Sequence, residues 1–421
     1  MKTKIKKITK SASKKGIKPQ SKQTAKKVQE KGGDRLTKIM SEVPSKVPSV
    51  LREDCFRVLD EENNVDPKHD PKIDKELLLK MYRNMVLTRA YDERGMMLQR
   101  QGRIGFYVPS FGQEAIQIGT VSCLEKNDWL FPSYREPGVF LYRGADLFEL
   151  FCNLYGNKAD ICKGRQMPVH YSFKDLKLFS VSSPIATQVI QAVGASMASK
   201  IRNEKNVAVA YFGDGGTSEN DFHTGLTFAG AYKSPTVFIC TNNQYAISVP
   251  LYKQTGCKRL VDKAIGYGMP GIAVDGNDVL AVHSATRDAV ARAKRGEGPT
   301  FIECLTLRMG PHSSSDDPTR YRDEKLFEAW KKRDPIIRFR QYLTKKKLWD
   351  DNKEKALAAD LKSFIAEAVE RAEKQPPPEV EDLFEDVYAQ KTPQLIEQLQ
   401  AMKTEMELRG KFENTSEAFP L

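Results

Sequence analysis

The stretch "VAVAYFGDGGTSEND", residues 207–221, puts an acid between glycines at the end of an apolar run. Val207 to Phe212 is rich in valine and aromatics and reads as a buried strand, and the glycines after it permit a tight turn. Glycine-rich turns after strands commonly bind phosphate through bare backbone N–H groups. The dinucleotide pattern, however, needs a further glycine at Ser218 and does not place a carboxylate such as Asp214 in the turn. A carboxylate facing an anionic diphosphate repels it unless a cation lies between them. The stretch therefore predicts a strand, a turn and a cation whose other ligands come from elsewhere in the chain.

Downstream, a helix over 219–233 starts from Thr217 or Ser218 as cap and stops at Ser234-Pro235. Strands follow at 236–241 and 272–275, a helix at 278–294 and a strand at 300–308. Upstream, Asp74 caps a helix that ends at Gly102, and folded structure begins near that cap. The loop "GRIGFYVPSFGQ" leads to a second helical pattern over Glu114–Leu124. A strand lies in "DWLFPSYREPG" and another helix follows Asp146. "SSPIATQVIQAVGASMASK" reads as a tightly packed central helix, with Ala192, Gly194, Ala195 and Ala198 allowing close approach. Strands alternating with helices give a doubly wound, mostly parallel α/β sheet with flanking helices. Beyond Asp316 the chain turns charged and helical, and Pro376–Pro378 sets off a last short segment.

The 421 residues, 40% hydrophobic, suffice for a sizeable core. The net charge of +12 belongs to residues 1–50 alone: 14 Lys and Arg35 against Glu30, Asp34 and Glu42. That segment is expected to be a disordered Lys-rich tail, with residues 51–421 as the folded domain and its C-terminal helical extension. No apolar run reaches the ~20 residues of a membrane span, and no signal-peptide core follows the lysines. A presequence favours Arg over Lys, so the expected compartment is the cytoplasm. Seven cysteines without a C-x-x-C pair indicate neither a disulfide framework nor a zinc site, and Cys240 and Cys304 read as small buried hydrophobes.

If strands 207–212 and 236–241 are parallel neighbours, Asp214 and Asn243 both emerge at the carboxyl edge of the sheet. A carboxylate and an amide oxygen suit a hard ion such as Mg²⁺, with diphosphate oxygens completing the shell. GDG, 26 residues and then NN resembles the thiamine-diphosphate fingerprint. "YREPGVFLYRG", "GRQMPVHY", "SSPIATQ", "GDGGTSENDFHTGLTFAGA", "NNQYAISVP" and "GPHSSSDDPTRYR" occur in the order found in alpha subunits of the decarboxylating component of 2-oxo acid dehydrogenase complexes. Residues 74–400 follow that pattern.

The resemblance implies thiamine diphosphate and Mg²⁺, the metal held by Asp214, Asn243 and the carbonyl of Tyr245. It assigns cofactor contacts to Tyr134, Arg135, Ser183, Ile185, Asp214, Gly215, Gly216, Asn243 and His312, with Ile185 propping the cofactor into its bent shape. Ser182, Pro184, Thr187 and Gln188 match a structural K⁺ site of branched-chain members. His312, alone among five histidines in a serine-rich loop directly after a strand, matches the catalytic histidine beside the thiazolium carbon. His170 matches a family position without a catalytic role, and Phe106 is an apolar wall for a branched substrate. Ser313 aligns with a serine that regulatory kinases modify in animal complexes.

No residue matches the glutamate that activates the cofactor. In this family it comes from a beta subunit, which implies an α₂β₂ heterotetramer with cofactor sites at the interface. The acyl unit passes to a lipoyl group on the acyltransferase component. Two positions depart from the animal branched-chain pattern: Thr241 stands where arginine contacts the diphosphate, and Asp214 where glutamate is usual. "DPTRYR" and "GDGGTS" look like bacterial pyruvate dehydrogenases, so pyruvate is the alternative to a branched-chain 2-oxo acid. A nicotinamide oxidoreductase leaves the NN pair unexplained. A nucleic-acid binder leaves the electroneutral remainder idle.

Overall fold

Parallel pairing of five strands organises the molecule, whose computed structural model describes residues 51–409. In chain order the elements are α1 (Lys75–Arg100), α2 (Glu114–Val121), β1 (Trp129–Phe131), α3 (Pro137–Arg143), α4 (Leu147–Tyr155), α5 (Thr187–Ile201), β2 (Ala208–Gly213) and α6 (Asn220–Tyr232). There follow β3 (Thr236–Asn242), a short antiparallel pair β4 (Tyr245–Ala246) and β5 (Val249–Pro250), α7 (Leu251–Gln254), α8 (Lys263–Gly266), β6 (Gly271–Asp275), α9 (Val279–Lys294) and β7 (Thr300–Leu305). Helices complete the chain, among them Asp351–Glu373 and Pro393–Arg409. The main sheet runs β1-β2-β3-β7-β6, all parallel.

The local chemistry sets these bounds. Asp74, Asp146 and Asp278 each accept a backbone N–H in the first turn of the helix they cap. Strand β3 is buried at every position, as expected of a central parallel strand covered on both faces. On one face α1, α2, α3, α4 and α9 contribute to a cluster around Tyr82, Tyr91 and Phe151. On the other, α5 and α6 pack Val189, Phe222 and Leu226 against Phe212 and Phe238. The doubly wound α/β architecture follows.

Three details differ from the sequence reading. Residues 51–73 are already packed: Phe56 pairs in parallel with Val274 beside β6, and Val58 and Leu59 are buried. Those residues lack an apolar period, because they add a short edge contact rather than an element. Helix α5 is closely packed, with Ala192 fully buried, but not through every small residue of that face. A side chain at Gly194 would meet nothing within 4 Å, and the close approach falls instead at Gly225 of α6, whose added Cβ would lie 2.7 Å from Val189. Helix α6 begins after Glu219 without a side-chain cap, since the Thr217 hydroxyl donates to the Asp214 carbonyl at 2.8 Å. The Lys-rich segment 1–50 lies outside the described residues. Among the described residues no helix is long and apolar enough to cross a membrane.

Candidate active site

Register brings the two halves of the fingerprint together. Gly213 pairs with Thr241 at the ends of β2 and β3, so Asp214 and Asn243 leave the carboxyl edge side by side. They line a cavity of about 340 Å³ with Gln113, Tyr134, Arg135, Ile185, Gly215, Gly216, Tyr245, Arg308 and His312. Gly215 permits this: a Cβ there would lie 2.9 Å from that of Ala246.

Asp214 is 1% exposed, and its Oδ2 has no hydrogen-bond partner. Burial pushes its carboxyl up to about 6, against the pull of Arg308 and Arg135. Such an oxygen is costly to bury alone. Asn243 is turned by two contacts: its Nδ2 donates to Gln113 Oε1 at 3.5 Å and its Oδ1 accepts from Tyr245 N at 3.3 Å. The Tyr245 carbonyl accepts Arg308 Nη1 at 3.1 Å and keeps a second lone pair. The donor set fits a hard cation. Among the described residues no group of three or more His, Cys, Asp and Glu is gathered, so a cation here draws on one carboxylate plus amide and carbonyl oxygens.

Asn242, the first of the pair, is structural. Its Nδ2 donates to Glu303 Oε1 at 2.7 Å, and Glu303 is held in turn by both guanidinium nitrogens of Arg52 at 3.1 and 2.9 Å. Gln254 supports the turn from α7, donating to the Asp214 carbonyl at 2.8 Å.

At the opposite wall, Arg135 donates to the Pro109 carbonyl at 2.6 Å, and its Nη2 lies 3.0 Å from both the carbonyl and Nδ1 of His312. Guanidinium has no acceptor, so Nδ1 of His312 accepts and the ring proton sits on Nε2. Burial, with Arg135 and Arg308 beside it, pushes this imidazole down to about 3. The loop is clamped further: His312 N donates to Asp316 at 2.6 Å, and Arg308 Nη2 donates at 2.7 Å to the Tyr321 hydroxyl, which itself donates to Asp316.

A second loop is tied to it, Ser314 N donating to Tyr107 O at 2.8 Å. Asp92 of α1 anchors that loop by accepting the Tyr107 hydroxyl and the N–H and hydroxyl of Ser110, each at 2.7 Å. Burial nevertheless pushes the Asp92 carboxyl up to about 7. Because the folded value lies above the ordinary one, the contribution of Asp92 is full below pH ~4 and falls as pH rises through ~7, by as much as ~4 kcal/mol. Urea unfolding of wild type and Asp92→Asn at pH 5 and pH 8 checks this: the wild type's advantage is expected to shrink at the higher pH.

Ile185 is exposed and lines the cavity, whereas Ser183 is exposed and is not among the lining residues. Gln188 is buried and donates to the Tyr211 carbonyl at 2.6 Å, while Thr187 opens α5. Phe106 packs against the core cluster and does not line the cavity. Glu303, Arg52, Gln113, Gln254 and Arg308 are the participants that sequence reading missed. Only Arg308, a charge in an otherwise apolar strand exit, carried a local signal.

Fold and site together define an α/β enzyme subunit built around a buried carboxylate at the edge of a parallel sheet. Residues 82–381 match the family model described as "Dehydrogenase E1 component", and the chain belongs to that family, which depends on thiamine diphosphate. It is 43% identical over 347 residues to the mitochondrial 2-oxoisovalerate dehydrogenase subunit alpha of Dictyostelium discoideum, covering 82% of this chain and 79% of that protein. The human protein of that name is 40% identical over 379 residues, 90% and 84% of the two chains. An Arabidopsis thaliana counterpart, subunit alpha 1, is 42% identical over 351 residues, 83% and 74%. An alpha subunit of this family implies a beta subunit and a complex.

These relatives are all named mitochondrial, which overturns the cytoplasmic expectation. The preference for Lys over Arg was a poor discriminator. Residues 1–50 are cationic and poor in acids, the features that matter electrostatically in a transit segment.

Proposed function

We infer that this chain, with a beta subunit, performs the oxidative decarboxylation of branched-chain 2-oxo acids and passes the acyl unit to a lipoyl group on a separate acyltransferase component. The observation that carries the reading is the unpartnered Oδ2 of buried Asp214 beside Asn243 in a cavity also walled by His312. Relatives named for 2-oxoisovalerate in a slime mould, an animal and a plant support the substrate class.

In this reading Mg²⁺ is held by Asp214, Asn243 and the Tyr245 carbonyl, and the diphosphate meets Tyr134, Arg135 and the backbone of Gly215 and Gly216. Ser183 and Ile185 meet the other end of thiamine diphosphate. Ser182, Pro184, Thr187 and Gln188 hold K⁺. When bound, the cofactor supplies the carbon nucleophile and the electron sink for decarboxylation. The chain's own groups bind and orient. Neutral His312 offers its Nε2–H as a donor to the substrate's oxygens, while Arg135 fixes the ring. The glutamate that activates the cofactor comes from the beta subunit of an α₂β₂ assembly.

The test is decarboxylation by this chain co-expressed with its beta subunit, with 3-methyl-2-oxobutanoate, 4-methyl-2-oxopentanoate and pyruvate compared through an artificial electron acceptor. A higher kcat/KM for the two branched acids is expected. A preference for pyruvate would overturn the substrate assignment while leaving the site intact. Phe106, outside the cavity wall, is not given the choice of substrate.

A further inference from the structure

We propose that Arg52 is a positioning residue for the turn after β3: through Glu303 and Asn242, its guanidinium sets the two oxygens that this turn offers to the cation, Asn243 Oδ1 and the Tyr245 carbonyl. The inference deepens the reading above and rests on it.

The contacts start in the strap that precedes α1. Leu51 and Cys55 are buried, and Phe56 N donates to the Ala273 carbonyl of β6 at 2.8 Å, so the strap is fixed along the sheet edge. Arg52 Nε donates to Asp54 Oδ1 at 3.2 Å, and Asp54 in turn accepts Arg259 Nη1 at 2.7 Å. Nη1 and Nη2 of Arg52 remain for Glu303, meeting its two oxygens at 3.1 and 2.9 Å in the planar fork that suits a carboxylate.

Glu303 has no exposed surface and lies in β7, opposite Cys240 of β3. Its Oε1 also accepts Asn242 Nδ2 at 2.7 Å, and its Oε2 accepts Val261 N at 3.0 Å. Each oxygen thus holds two donors, and of these contacts only those from Arg52 carry a positive charge. A carboxylate only accepts, so the amide of Asn242 is fixed with nitrogen toward Glu303 and oxygen toward Gln244. That oxygen accepts Gln244 N at 3.3 Å and Nε2 at 3.0 Å. Gln244 stands between Asn243 and Tyr245, is 1% exposed and holds φ +73°, a conformation that persists in a residue other than glycine where contacts enforce it. The turn takes its shape from Asn242, and Asn242 takes its orientation from Glu303. Without Arg52 the carboxylate is a buried charge lacking its counter-charge, which water relieves only by entering beneath the turn.

The consequence falls on the choice of cation. Mg²⁺ demands near-ideal octahedral placement of its ligands, whereas Ca²⁺ tolerates displaced ones. A loosened turn therefore loses Mg²⁺ before Ca²⁺, while a general weakening of the fold lowers both alike.

The experiment uses the complex with the beta subunit at saturating thiamine diphosphate, with calorimetric dissociation constants for Mg²⁺ and Ca²⁺. Arg52→Gln is expected to weaken Mg²⁺ about 10-fold, the lower end for losing a group that supports a metal ligand, and Ca²⁺ about 3-fold or less. Arg52→Lys, which keeps the charge and loses the fork, should fall between wild type and Arg52→Gln. Arg57→Gln, on the same strap but exposed and paired with exposed Glu61, should leave both constants unchanged.

An unchanged Mg²⁺ constant in Arg52→Gln, equal losses for the two ions, or the same loss in Arg57→Gln would overturn the proposal. Should Arg52→Gln not fold, Arg52→Lys decides alone: a weakening greater for Mg²⁺ than for Ca²⁺ supports it and unchanged constants overturn it. Wild type that binds thiamine diphosphate equally with and without Mg²⁺ would instead remove the reading of the site.

Discussion

Replacing Asp214 with asparagine is expected to weaken Mg²⁺-dependent binding of thiamine diphosphate roughly 100- to 1000-fold while leaving the ligand-free fold intact. The first half follows from charge. In the proposed reading this single carboxylate is the one charged partner of a divalent cation, and removing one member of a buried ion pair costs about 3–5 kcal/mol. The second half follows from the missing partner. Oδ2 has no hydrogen bond within the chain, so asparagine gives up no bond there and removes an unpaired buried charge. Calorimetric titration of the complex and thermal unfolding of the ligand-free chain read the two halves separately. A lowered unfolding temperature without ligand would mean that Asp214 stabilises the turn. Unchanged binding would remove it from the metal site.

The first half of this argument was legible in the residues, and the contrast with what was not is physical. A strand ending in an acid, and a second ending in an amide one helix later, can only meet at one edge of a parallel sheet, and register places them there. Helix bounds marked by aspartate caps were equally readable.

The supporting contacts were not. Glu303 sits in a buried strand with no local sign that it would meet Arg52, 251 residues away, and hold Asn242. Gln113 looked like a loop end before α2, yet it turns the amide of Asn243. Sequence spacing identifies residues that face a ligand, because they sit at element ends. It is silent about residues that hold them, because those partners are set by tertiary packing. Gly194 and Ala198 of α5, which lie exposed, show the reverse error, since glycine and alanine permit close approach without requiring a neighbour. Phe106 shows it again: an aromatic beside the site went to the core cluster and not to the cavity.

His312 carries the other large expected effect. Truncation to alanine should lower kcat by roughly 100- to 1000-fold, the range for losing one oriented donor in a dry site, with cofactor affinity changed only a few-fold. His312→Gln, able to place an N–H near the lost Nε2, should retain more activity than alanine. The pH profile separates a neutral donor from a titrating acid. Burial and two nearby guanidinium groups push the imidazole down to about 3, which leaves it uncharged across the neutral range. Its penalty for charging lies on the acid side: stability from this group is full above pH ~6.5 and is lost only as pH falls toward ~3. Between pH 6 and 8 the profile of kcat should therefore keep its shape in His312→Gln and merely move down. Loss of an inflection near 6.5 would instead show that His312 gains a proton during turnover. In that case the bond from Arg135, which requires an unprotonated Nδ1, must break in each cycle, and Arg135 would be a moving part of the reaction and not a fixed support.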